Sequence, residues 1–202
     1  MIHPDTTLKF ISPEVGYGVV ATKLIPKGTI TWVFDPLDQV FTPDEVAKLH
    51  PAFQEKLAIF SYRDQKGDFV LCWDNSRFVN HSFRSSCMST PYNFEVAVRD
   101  IQPGEELTDD YGYLNVTTPF KALPEPGISR TMVMPDDLMH FHEEWDAQLR
   151  DAFKEFNKVA QPFLQFVDPK YKEKALEIGM GKAEMDSILN CYYSGTAKAF
   201  SF

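Results

Sequence analysis

Three short stretches of the sequence carry side chains that could do chemistry. Gly16-Tyr17-Gly18 sets two glycines around an aromatic residue, ahead of a β-branched run. "RFVNHS" at 77–82 ends an apolar run in Asn80, His81 and Ser82, three residues that all hydrogen-bond. "GEELTDDYGY" at 104–113 places acidic residues ahead of Tyr111 and Tyr113. Glycines let backbone approach a ligand closely. The Asn-His pair and the tyrosine hydroxyls add side-chain hydrogen-bonding groups. Each stretch also has a plain structural reading: a bulge, a turn closing a strand, an acidic turn beside core tyrosines. Gly16-Tyr17-Gly18 is not a dinucleotide fingerprint, because it lacks the third glycine and enters a strand.

The elements around these stretches are short. Strands are expected at 8–12, 16–25, 30–36, 68–74 and 93–101, the last alternating apolar and polar residues. Between them, 42–62 reads as two helices: Thr42 caps, Pro43 opens, Glu45 completes a capping box, and Pro51 interrupts. "PFKALPEPGISR" at 119–130, with three prolines, reads as a linker or an extended arm. Beyond Pro135, Leu138, Phe141, Trp145, Leu149, Phe153, Phe156 and Ala160 recur at steps of three and four, marking one face of a helix. Further helices are expected at 169–178 and 182–193.

Composition narrows the function. The 202 residues are 44% hydrophobic, enough for a core, and carry a formal charge of −9. An acidic chain is a poor match for nucleic acid, whose phosphates need a basic face. It suits solubility or a basic substrate. The cluster Asp100, Glu105, Glu106, Asp109 and Asp110 is either a solvated rim or an attractor of basic peptide. Cys72, Cys87 and Cys191 have no zinc or redox spacing, and neither a signal peptide nor a membrane span is evident. A reduced, intracellular protein is expected. His140 and His142 stand two apart on the expected helix and share no face, so no metal site is expected.

Taken together and in order, Gly-x-Gly, Arg-Phe-x-Asn-His-Ser and Gly-Glu-Glu-Leu-Thr-x-Asp-Tyr resemble the SET-domain family over about residues 8–115. The resemblance implies a mainly β fold with α elements, the β-clip or SET fold. In that fold a pseudoknot, rare in proteins, lays the last two motifs side by side. The expected division is a SET domain at 1–118, with a variable helical insert at about 38–62, and an α-helical extension at 119–202. The implied activity is S-adenosylmethionine-dependent methyl transfer to the lysine ε-amine of a protein or peptide substrate; a catalytically inactive peptide-binding module is the alternative. Gly16, Tyr17, Gly18, Asn80 and His81 would hold the cofactor. Tyr111 would be the catalytic tyrosine, acting first by positioning, and Tyr113 would line the lysine channel. Many members follow Asn-His-Ser with Cys-x-Pro-Asn and carry a cysteine-rich zinc tail. This chain continues Phe83-Arg84-Ser85-Ser86 and has no such tail, so no structural zinc is expected. Asn93 is the expected replacement for the missing asparagine, and the carboxyl-terminal helices are the candidate lid, with Tyr192 and Tyr193 either covering the adenine or channel mouth or serving as core residues of a helical appendage.

Overall fold

A computed structural model describes residues 1–195. The chain opens with an antiparallel hairpin of β1 (Thr6–Ser12) and β2 (Gly16–Ala21). β3 (Ile30–Val33) and β4 (Gln39–Phe41) lead to α1 (Pro43–Lys48), α2 (Pro51–Phe60), β5 (Ser61–Arg63) and β6 (Phe69–Leu71). The capping box forms as its residues dictate: Glu45 N donates to Thr42 Oγ1 at 3.3 Å, and Thr42 N donates to the Glu45 carboxylate at 2.8 Å. β4, β6 and β5 make one small antiparallel sheet beneath these helices.

β7 (Asn80–His81) follows, then the hairpin of β8 (Cys87–Ser89) and β9 (Phe94–Ala97), which joins β3 in the order β3-β9-β8. β10 (Thr108–Asp109) pairs with β7, and this pairing is parallel: Thr108 faces Asn80 and Asp109 faces His81. The two motifs, almost thirty positions apart in sequence, therefore lie side by side. A 3-10 turn at Tyr111–Tyr113 comes next, then the hairpin of β11 (Phe120–Lys121) and β12 (Met132–Val133). α3 (Asp137–Phe156) and α4 (Pro169–Gly179) complete the regular elements. Small sheets dominate, as expected of the SET fold.

The α3 stripe packs on the β3-β9-β8 sheet. Leu138, Trp145, Leu149, Phe153 and Phe156 are buried with Ile30, Met88, Phe94 and Val96. The Phe156 ring lies 6.0 Å from that of Phe94. Burying a phenylalanine contributes about 1.5–3 kcal/mol, so α3 is held by its apolar face. The core is continuous across residue 118: the residues after it supply one wall of the core that the strands begin. Ala160 lies past the end of α3 and is exposed. Among the described residues no helix is long and apolar enough to cross a membrane.

The helix expected at 182–193 is absent; only a 3-10 turn, Ile188–Cys191, forms there. Its backbone is claimed by distant side chains. Asp186 N donates to the Tyr92 hydroxyl at 2.7 Å, Ile188 N to Asp146 at 2.7 Å, and Tyr193 N to Asn115 Oδ1 at 2.9 Å. Those bonds replace the i→i−4 ladder that a helix needs. Asn93, the expected stand-in, is an exposed turn residue at φ 58° between β8 and β9. The last seven residues of the expected extension lie outside the described residues.

Candidate active site

The parallel pairing of β7 with β10 brings His81 and Tyr111 together. Tyr111 N donates to His81 Nδ1 at 3.2 Å, and Ser82 N donates to Asp109 O at 2.9 Å. An accepting Nδ1 places the imidazole proton on Nε2, which is buried without a partner among the described residues. Burial holds the His81 pKa down, to about 4, against the pull of Glu125. The ring is therefore neutral and packs against Phe83, Tyr111 and Phe120, at centroid distances of 4.5, 5.4 and 5.8 Å.

Asn80 faces the amino-terminal glycines. Its side-chain amide donates to Tyr17 O at 3.0 Å and to Glu106 Oε1 at 2.6 Å. Gly16 adopts φ +83°, the left-handed region that favours glycine. Gly18 is constrained by space: a β-carbon there would lie 2.2 Å from Glu106 Oε1 and 2.8 Å from Ile11 Cγ1. Gly16, Tyr17, Gly18 and Asn80 thus come together, with Glu106 as the carboxylate that joins Asn80 to the glycine strand. Sequence reading missed Glu106 as a partner, although it stands in the motif that was singled out. Gly18→Ala is expected to displace Glu106 from Asn80 and destabilise the fold by about 1–3 kcal/mol, read as a lower urea midpoint at unchanged m-value.

Tyr111 joins this region to a cavity of about 260 Å³. Its lining includes Phe60, Tyr62, Arg63, Thr117 and Phe120, together with Trp32, Cys72, Glu95, Asp109 and Tyr111. The Tyr111 hydroxyl donates to Val79 O at 2.7 Å. Burial first, and then the carboxylates of Asp109 and Glu106, push its pKa well above the ordinary phenol value. The hydroxyl thus stays protonated near neutrality and can orient a ligand, but it is no base. Burial drives both Glu95 and Asp109 upward; the Asp109 carboxylate adds to the rise at Glu95, and Asp110 to the rise at Asp109.

Tyr113 does not line the cavity, contrary to the channel role expected of it. It is 1% exposed, edge-on to Trp145 at 5.2 Å. Its hydroxyl accepts from Asp110 N at 2.9 Å and lies 2.8 Å from Asp109 Oδ1 and 2.9 Å from Cys87 O. The reason is the 3-10 turn. With three residues per turn, positions 111 and 113 point to different sides, so Tyr111 meets the cavity and Tyr113 enters the core.

The cover over the motifs comes from the stretch read as a linker. Glu125 accepts from Ser82 Oγ at 3.1 Å and from Phe83 N at 2.8 Å. Phe120 packs on His81 and Tyr111. Arg130 bridges the buried Asp110 and Asp137. Its guanidinium also stacks over Phe83 and Phe141 at 4.6 and 4.5 Å. The expected lid residues act at one remove. Tyr193 covers Arg63, with the guanidinium 4.5 Å above its ring, and Tyr192 packs on the main core. The acidic cluster is neither rim nor attractor as a unit. Asp109 and Asp110 are buried, Glu105 pairs with Arg99, and Asp100 accepts from Lys27 N at 2.9 Å. Among the described residues no group of three or more His, Cys, Asp or Glu is placed to hold a metal ion.

Compared with known protein families, residues 16–112 match the SET domain. No curated protein matches the chain.

Proposed function

From the premise that residues 16–112 are a SET domain, a family that generally includes lysine methyltransferases, we propose that this protein transfers a methyl group from S-adenosylmethionine to the ε-amine of a protein lysine. One observation carries the reading: Tyr111 stands between the Gly16–Gly18, Asn80 and His81 assembly on one side and an aromatic-walled cavity on the other.

The residues suit the cofactor. A β-carbon built on Gly16 meets nothing within 4 Å, so that backbone has free space beside it, and His81 Nε2 is a buried donor without a partner. Gly16, Tyr17, Gly18, Asn80 and His81 would hold the cofactor, which when bound supplies an electrophilic methyl on a sulfonium. The remaining work is positioning, which contributes several kcal/mol in reactions of this kind. The walls of Trp32, Tyr62 and Phe120 exclude water from a lysine side chain and disfavour its ammonium form. The Tyr111 hydroxyl, neutral and anchored on Val79 O, orients the amine nitrogen.

The test is transfer of labelled methyl to a panel of lysine-rich proteins, with melting temperature measured in the presence of cofactor or its demethylated product. A ligand that binds only the folded state raises the melting temperature. The expected result is a shift with both compounds, lost in Asn80→Ala, and label on lysine. A shift without transfer to any substrate would point to a peptide-binding module. No shift at millimolar cofactor would sink the reading.

A further inference from the structure

Two acids, Asp109 buried and Glu95 half-buried, line the cavity. Glu95 projects from β9 and Asp109 from β10. Among the described residues neither is ion-paired: Glu95 receives the Ser89 hydroxyl at 3.1 Å, and Asp109 has the Tyr113 hydroxyl at 2.8 Å. Asp110, one position on, has Arg130. Burying a carboxylate is costly unless a partner offsets it. A second feature points the same way. Trp32 is 5% exposed and lines the same cavity, yet its indole Nε1 is buried without a partner. The floor thus holds one unused donor and two acids without a counter-ion, beneath the rings of Trp32 and Tyr62, which meet edge-on at 5.8 Å. The acids and the aromatic faces attract a primary ammonium group, and the indole N–H, which an ammonium cannot accept, suits the lone pair of the neutral amine left once a proton is gone.

We propose that Glu95 and Asp109 form an amine-binding, proton-accepting floor: the cavity takes a primary ammonium group and Asp109 removes its proton. The transfer balances. The N–H bond of R–NH₃⁺ breaks, its electron pair stays on nitrogen as the lone pair of R–NH₂, and the proton forms an O–H bond on the Asp109 carboxylate. The use of that lone pair as nucleophile rests on the methyltransferase reading; the amine site itself does not.

The surroundings agree. Asp109 is pushed up to about 7, chiefly by burial. Glu95 is pushed up as well, by burial and then by the Asp109 carboxylate, so the pair resists carrying two charges. Asp110 adds repulsion, and the Tyr113 hydroxyl favours the charged form. Tyr111, Tyr62 and Cys87 face the pair as neutral groups, each with its pKa raised by burial. Arg63 lines the cavity but is turned to the Gly67 carbonyl at 3.2 Å and to the Tyr193 ring. Arg77 also lines it, with its guanidinium on the Phe78 ring. Sign follows from these groups: as pH falls below about 7 Asp109 takes up its own proton and no longer accepts one, so amine binding strengthens as pH rises through about 7.

The experiment uses cofactor-free protein and n-butylammonium chloride, with 1-butanol as the neutral analogue. The expected result is a melting-temperature rise with butylammonium and none with butanol, larger at pH 8 than at pH 6 and absent in Asp109→Asn. Glu95→Gln, which leaves Asp109 as the acceptor, should keep both the shift and its pH dependence. An equal shift in Asp109→Asn, or none in wild type, would overturn the proposal. With cofactor and a methylated substrate in hand, Asp109→Asn should lower kcat about a hundredfold near neutrality. That deficit should close as pH approaches the substrate amine's own pKa of about 10.4; a structural defect would not be rescued this way. If wild type transfers no methyl yet binds butylammonium through Asp109, the amine site stands and the methyltransferase reading falls.

Discussion

Arg130→Met is expected to destabilise the protein by about 3–5 kcal/mol, the usual cost of stranding buried charges. Arg130 is the only cation paired with Asp110 and Asp137 among the described residues, and both carboxylates are buried. Methionine fills space between Phe83, Phe141 and Trp145 but neutralises nothing. The deficit has a definite pH dependence. Burial already raises Asp110 to about 6, with Arg130 as the largest opposing influence. Without the guanidinium the folded-state pKa rises further, while the unfolded value stays near 3.9. A raised folded pKa gives stability that is present at low pH and lost as pH climbs through it. The variant should therefore be near wild type at pH 5 and far weaker at pH 8 in urea titrations. A difference below about 1 kcal/mol at pH 8, the worth of an exposed pair, would refute the buried-bridge role. The site should suffer too, because Asp110 Oδ1 accepts from Gly112 N at 2.9 Å and so caps the turn that aims Tyr111.

Tyr111→Phe is expected to lower methyl transfer by about a hundredfold or more, with little change in KM and a fold stability reduced by only about 1 kcal/mol. The small stability cost follows from the bond lost, one hydroxyl to Val79 O. The large kinetic cost follows from lost orientation, since a shift near 1 Å at a reacting centre is worth about two orders of magnitude. The pH profile separates positioning from base chemistry. The Tyr111 phenol is held protonated by burial, so the variant should keep the wild-type pH dependence at a lower level. Loss of an alkaline limb in Tyr111→Phe would instead assign the hydroxyl a proton-transfer role. Retained full activity would remove it from the mechanism.

Much of the fold was legible because it is local. The capping box at Thr42, the break at Pro51 and the apolar stripe of α3 are each set by residues within a turn or two of one another. The pairing of the Asn-His and Asp-Tyr motifs was legible for another reason: ordered motifs carry the resemblance to the SET domain, and with it the side-by-side placement that β7 and β10 show. Tyr113 was misread because spacing along a chain does not state how many residues the backbone uses per turn. Two tyrosines separated by one glycine share a face in a strand and diverge in a 3-10 turn. The segment at 182–193 was misread because its apolar periodicity is real but its amides bond to Tyr92, Asp146 and Asn115.

By itself, then, the sequence carried the resemblance to the SET domain, the small-sheet architecture and the residues that meet at Asn80, His81 and Tyr111. Only the tertiary structure decided what surrounds them. It turned a proline-rich linker into the cover that carries Glu125 and Arg130, and it sent Tyr113 into the core. It also brought half-buried Glu95 and buried Asp109 to one cavity, neither ion-paired among the described residues. The physical reason is range: caps, turns and periodicity act over a few residues, whereas ion pairing and desolvation depend on which distant segments exclude water together.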